Sequence, residues 1–373
     1  MSVEKVNRSA GPVWRVRWRE GGRNRARTFD LRRDALRYET EVRRRAQLGS
    51  LAQLDAGAET LDGYVTGTWA PTHAVALAAS TRAVYAHVYD RHLSPHLGSL
   101  ELRAITPETV ARWQAQRLAA GVGAHAVRKA ITVLGAILQR AVEAHRIPYN
   151  PVRATRKAKL PERGEVRPLA PRDVEAMRAF LLAGGSEHPH RDACLVSVLA
   201  YAGLRPGEAL ALTWGNVLDG TLVVNASKTG RRRSVRLLAP LAGDLREWRL
   251  ASGRPGPNAL LFPASDGKPW SHEGYKSWAR RAFRRAAISA GAPDATPYTL
   301  RHSFVSLLLA EGRNPLDVAG QAGHRPSLSL DVYGHLYAEQ DGRERTDAET
   351  LIRTAREGSG TRLVPAAPVA AER

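Results

Sequence analysis

Four short segments in the second half of this 373-residue chain carry residue types suited to phosphorus chemistry. In Ala200-Tyr201-Ala202-Gly203-Leu204-Arg205-Pro206-Gly207-Glu208, an arginine closes an apolar run and precedes a Pro-Gly-Glu helix start. That places Arg205 at a rigid junction, as a phosphate clamp requires. Lys228 lies in the turn Ser227-Lys228-Thr229-Gly230, and Arg301 in Tyr298-Thr299-Leu300-Arg301-His302. The last segment holds Gly323-His324 and, nine residues after the histidine, Tyr333. A phosphodiester is an anion that repels nucleophiles, so cleaving it needs charge neutralisation in a fixed geometry. Two arginines can grip its non-bridging oxygens through planar forks and strengthen as charge builds in the pentavalent transition state. A tyrosine, with a reference pKa of about 10, can attack where cations ease loss of its proton. An ammonium can protonate the leaving oxygen, which a guanidinium cannot. The product, a phosphotyrosine ester, resembles the starting diester in bond energy. A second hydroxyl can then reverse the step with no metal or nucleotide, so no cofactor is expected. Singly, these residues more often serve as helix cap, solvated turn, surface pair and half-buried ring. Their joint order is what points to catalysis.

The composition narrows the partner. Lys+Arg is 56 against 36 Asp+Glu, for a net charge of +20 spread along the whole length. No basic amphipathic helix stands alone as a membrane anchor, so a nucleic acid fits this charge better than an anionic membrane surface. Lysine occupies only positions 5, 129, 157, 159, 228, 268 and 276, which makes the turn lysine worth notice. The longest apolar run, Ala193 to Leu204, falls short of the ~20 residues of a membrane span. No secretion leader is apparent, and a cytoplasmic, nucleoid-associated protein is expected. The single cysteine, Cys194, excludes an intramolecular disulfide and reads as inert core. His188-Pro189-His190 lacks a third ligand at a recognised spacing, and His272-Glu273 lacks the second histidine of a zinc-protease box. No phosphate-binding Gly-x4-Gly-Lys loop occurs.

The elements that must position these residues follow from periodicity. Residues 1–50 read as a basic module. Trp14, Val16 and Trp18 alternate with Arg15, Arg17 and Arg19 along a strand, Gly21-Gly22 turns it, and Arg25 to Phe29 returns. A helix from Arg33 follows, with Leu36 and Val42 inward. Arg15, Arg17, Arg19, Arg25 and Arg27 are expected to contact nucleic acid as an arginine face backed by tryptophans; the alternative is a solvated edge hairpin. Residues 58–152 read as helical, with Thr106-Pro107-Glu108 opening one helix. Val127, Ile131, Leu134, Leu138 and Val142 form a buried stripe. A basic, proline-containing stretch, 153–168, reads as a linker. Residues 169–342 should be mainly helical with one antiparallel hairpin, Thr221 to Ala226 and Arg233 to Leu237. Residues 343–373 should form a helix and a disordered tail, with Leu351 and Ile352 packing on a neighbouring protomer.

The four segments, in this order, resemble the tyrosine recombinases of the phage-integrase family. On that resemblance Arg205 and Arg301 fall on the two arginines, Lys228 on the hairpin lysine, His324 on the late histidine and Tyr333 on the nucleophile. Residues 58–152 resemble the family's all-α core-binding domain, and the basic module its small α+β arm-binding domain. The resemblance implies an enzyme that integrates and excises a prophage or mobile element. It would act on double-stranded arm and core sites as a homotetramer, with an accessory bending or directionality factor where one is needed. A chromosome-dimer resolvase and a non-catalytic DNA-binding relative are the alternatives. One departure is plain: Tyr298 stands where the family usually has histidine. A phenol can still donate a hydrogen bond to a phosphate oxygen, but it cannot accept a proton near neutral pH. Proton handling then falls to His324 or water. Glu208 is expected to anchor the helix after Arg205, without a chemical role.

Overall fold

The computed structural model describes residues 2–8, 11–51, 54–161, 167–225, 232–327 and 345–358, and the chain divides into two compact units, 1–163 and 164–373. Lys228, Tyr333 and the tail beyond Gly358 lie outside the described residues.

In the first unit, β1 (Ser2–Arg8), β2 (Gly11–Glu20) and β3 (Arg23–Phe29) form an antiparallel sheet in sequence order. Gly21 and Gly22 both take positive φ, 52° and 80°, as the tight two-residue turn between β2 and β3 requires. The strand period puts Val16 and Trp18 on the face covered by α1 (Arg32–Gln47), where both are buried. The inward side of α1 differs from the sequence expectation. Ala35 and Val42 are buried and Tyr38 packs beside them, whereas Leu36 is 42% exposed. A small residue at 35 lets the helix approach the sheet, and Trp18, Phe29 and Tyr38 fill the interface as an aromatic cluster.

The helical part of this unit contains α2 (Ala79–Val88), α3 (Pro107–Ala119) and α4 (Ala124–Glu143). Thr106 caps α3, its hydroxyl accepting the Thr109 N–H at 3.2 Å. Val127, Ile131, Leu134 and Leu138 are buried along α4, with Val142 at the margin. The stretch after α4 is bonded to this helical core. Asn150 donates to the Gly135 carbonyl at 2.9 Å, and the Ala158 N–H reaches Gln114 at 2.9 Å.

The second unit is built around α6 (Pro189–Tyr201), whose residues from Arg191 to Tyr201 are all buried. Packed with it are α5 (Pro171–Phe180), α8 (Ala239–Ala251) and α10 (Pro297–Ala310). Further helices include α7 (Pro206–Leu210), α9 (His272–Trp278), α11 (Pro315–Ala322) and α12 (Ala348–Gly358). A second antiparallel sheet joins β4 (Val217–Leu218), β5 (Thr221–Asn225) and β6 (Arg232–Arg236).

Helix α12 corrects one expectation: it packs on the second unit of its own chain rather than on a neighbour. Ala348 and Ile352 are fully buried there. Arg356 donates to Asp244 at 2.7 Å and pairs with Glu175 at 3.2 Å. Arg178 pairs with both acids, and the Tyr201 hydroxyl donates to Glu175 at 2.6 Å. Two buried carboxylates need two cations. Arg178 supplies one from α5, and the second arrives with α12.

Candidate active site

Arg205 is held by its neighbours on both sides. Helix α6 ends at Tyr201, and Gly203 turns the chain with φ 61°. A Cβ on Gly203 would lie 2.1 Å from a ring carbon of Phe304, so only glycine fits. Arg205 then takes an extended conformation ahead of Pro206 and α7. The Glu208 carboxylate accepts the Arg205 backbone N–H at 3.0 Å and its Nη1 at 2.9 Å, while Nη2 donates to the Gly323 carbonyl at 2.7 Å. The side chain remains 31% exposed, open to a ligand on its outer edge. Glu208 anchors α7 as expected. Burial raises its pKa, yet the two hydrogen-bonded guanidiniums of Arg233 and Arg205 outweigh that and hold it down to about 2.

Arg301 comes from α10 and is 4% exposed. Its Nη1 donates to the Gly203 carbonyl at 2.5 Å. Burial first, and the charge of Arg205 second, pull its pKa down to about 10, so it remains a cation at neutral pH. Two guanidiniums are thereby held near one another, and Arg301 has no carboxylate paired with it among the described residues. Such an arrangement favours an anion.

His324 is delivered by the end of α11. Gly323 caps that helix in the left-handed conformation, φ 69° and ψ 49°. The His324 ring faces the Arg325 carbonyl through Nδ1 at 3.1 Å, which fixes the proton on Nδ1, because a carbonyl only accepts. Nε2 is buried, without a hydrogen-bond partner among the described residues. Burial lowers the ring's pKa, and the charges of Arg301, Arg205 and Arg233 lower it further against the Arg325 hydrogen bond. The imidazole is therefore neutral near pH 7, with a bare lone pair inside a cationic site.

Tyr298 sits one helical turn before Arg301 on α10 and is 47% exposed, its ring tilted against His302 at 6.1 Å. The structure thus brings together Arg205, Arg301 and His324, with Tyr298 at the margin. Sequence reasoning missed Arg233, which clasps Glu208 from β6. The available signal was parity: Arg233 shares a strand face with buried Val235, and an inward arginine needs a carboxylate.

The N-terminal arginines divide between two faces. Arg15, Arg17 and Arg19 pair across the sheet with Thr28, Ala26 and Asn24, opposite to the helix-covered face. Arg25 and Arg27 pair with Trp18 and Val16 and so share the face that α1 covers. Arg27 lies 5.0 Å from the Tyr38 ring and 3.9 Å from Asp55.

This arrangement can be set beside known proteins. Residues 167–340 match the model of the Phage integrase family, and residues 64–116 match Phage integrase, N-terminal SAM-like domain. Tyrosine recombinase XerC of Methylobacterium sp. (strain 4-46) is 29% identical over 71% of this chain and 83% of its own length. The putative prophage phiRv2 integrase of Mycobacterium tuberculosis (strain CDC 1551 / Oshkosh) is 26% identical over 88% of each chain. A lambda integrase tetramer bound to a Holliday junction shares the fold, with a TM-score of 0.59 at 17% identity over 86% of this chain and 95% of the other. With both halves of the fold matched and the arginine pair and histidine gathered at one site, the chain belongs to the tyrosine recombinases of the phage integrase family.

Proposed function

We propose that this chain is a site-specific DNA recombinase of the integrase type, which cleaves and rejoins DNA through a 3′-phosphotyrosine intermediate. Arg205 and Arg301 hold the non-bridging oxygens of the scissile phosphate. Tyr333 attacks phosphorus. His324, neutral and without a partner at Nε2 among the described residues, receives the phenolic proton directly or through water. Lys228 protonates the departing 5′ oxygen. The bond made and the bond broken are of one kind, so a second 5′-hydroxyl reverses the reaction without an energy source. Tyr298 adds a hydrogen-bond donor where the phosphate enters. The observation that carries this reading is the convergence of Arg205, ahead of α7, Arg301, within α10, and His324, past the end of α11.

The substrate is double-stranded DNA, with core sites held by the helical segment and the second unit, and arm sites by Arg15, Arg17 and Arg19. Two duplexes and four strand exchanges require a homotetramer on DNA, and an accessory bending or directionality factor suits integration and excision of a prophage or mobile element. The reaction belongs in the cytoplasm, on the nucleoid. Relatives named XerC favour a second reading, resolution of chromosome dimers. The basic module of residues 2–47 argues against it, because core-site resolution has no use for an arm-binding domain. A nicked core-site duplex tests the proposal: wild-type protein traps a covalent DNA adduct on a denaturing gel, and Tyr333→Phe does not. No adduct from wild-type protein overturns it.

A further inference from the structure

Each guanidinium nitrogen of Arg233 is bonded within the protein, and three parts of the clamp meet on it. Its side chain, 10% exposed, places Nη1 3.1 Å from Oε1 and Nη2 2.7 Å from Oε2 of Glu208. Its Nε donates to the Gln321 carbonyl at 2.9 Å. The same guanidinium lies against Gly323, where a Cβ would come within 2.7 Å of Arg233 Cζ. One side chain on β6 therefore ties the carboxylate beside Arg205 to the backbone that leads into His324.

We propose that Arg233 is a positioning residue for strand cleavage: by occupying both oxygens of Glu208 it keeps the charge of Arg205 available to the phosphate, and it fixes the approach of His324. This rests on the recombinase reading above. A buried carboxylate draws in whatever cation is nearest. Paired with Arg205 alone, Glu208 would cancel the charge that the phosphate needs. With Arg233 present, two guanidiniums share one carboxylate and the trio keeps one net positive charge. Arg205 then spends Nη1 on Glu208 and Nη2 on Gly323, and its Nε has no hydrogen bond among the described residues. The low pKa of Glu208 agrees with a carboxylate that stays ionised between two cations.

The test uses the full chain, a nicked core-site duplex, and the variants Arg233→Met, Glu208→Gln and the two combined. Arg233→Met is expected to slow single-turnover adduct formation by about 100-fold, as loss of one preorganised charge does. Core-site affinity, carried by many phosphate contacts, should hardly move. The double variant should recover about tenfold of that loss, because a neutral amide no longer competes for Arg205. Two results overturn the proposal while leaving the recombinase reading intact: Arg233→Met cleaving at the wild-type rate, or the single and double variants being equally slow with equal loss of melting temperature. An absence of adduct from wild-type protein fails the recombinase reading itself, and the proposal with it.

Discussion

Arg301 donates to the carbonyl of Gly203, 98 residues earlier in the chain, at 2.5 Å. That single bond sets the distance between the two arginines, because Gly203 lies two residues before Arg205 at the turn that no side chain larger than hydrogen can occupy. A shift of either helix end would move both guanidiniums together rather than part them.

Loss of either arginine should therefore cost catalysis much more than binding. Arg205→Ala and Arg301→Ala are each expected to slow adduct formation by about 10²–10³-fold or more. Gel-shift affinity for a core site should change little by comparison. Arg301→Lys should rescue poorly, since one ammonium cannot replace a fork that bonds Gly203 and an anion together.

The pH dependence follows from His324. Its pKa is lowered, chiefly by burial, so the native state keeps it neutral at pH values where an unfolded chain, near the usual ~6.5, would bind a proton. The sign is then fixed. Stability from this group is present above about 6.5 and is lost as pH falls through the lowered native value. Cleavage rates should show an acid limb with its midpoint below ~6.5, and His324→Gln should abolish that limb along with most of the rate.

How much of this was legible beforehand differs by element. The strand Trp14-Val16-Trp18 and the stripe Val127 to Leu138 were readable because burial imposes periods of 2 and 3.6. The order of Arg205, Arg301 and His324 was readable because their residue types are rare in combination. Leu36 was misplaced because a leucine outranks an alanine on any hydrophobicity scale, whereas close helix-to-sheet contact favoured Ala35. Arg25 and Arg27 were grouped with the outer arginines because composition shows charge but not register. The pairing of Arg356 on α12 with Glu175 and Asp244 was not legible, because those partners are more than a hundred residues away in sequence.

That register gives a test of the arm-binding face. Replacing Arg15, Arg17 and Arg19 by alanine should weaken arm-site binding and reduce the salt slope by about one unit for each phosphate left without its cation. Arg27→Ala should act instead on the melting temperature of the module, by removing the cation packed on Tyr38. Fluorescence anisotropy across a salt series separates the two effects.

Helix α12 should behave as part of the catalytic core. Arg356→Ala leaves Glu175 and Asp244 short of a cation and should cost about 3–5 kcal/mol of unfolding free energy, read by urea denaturation. Arg356→Lys should lose less. An unchanged transition midpoint in Arg356→Ala would mean that α12 contributes no stability in cis.

The most direct measurement is the identity of the residue joined to DNA. After reaction with a nicked core site, nuclease and protease digestion followed by mass spectrometry should find a nucleotide 3′-phosphate on the peptide containing Tyr333, absent from Arg301→Ala within the same reaction time. Attachment at another residue, or release of cleaved ends with no covalent adduct at any time, would contradict the account.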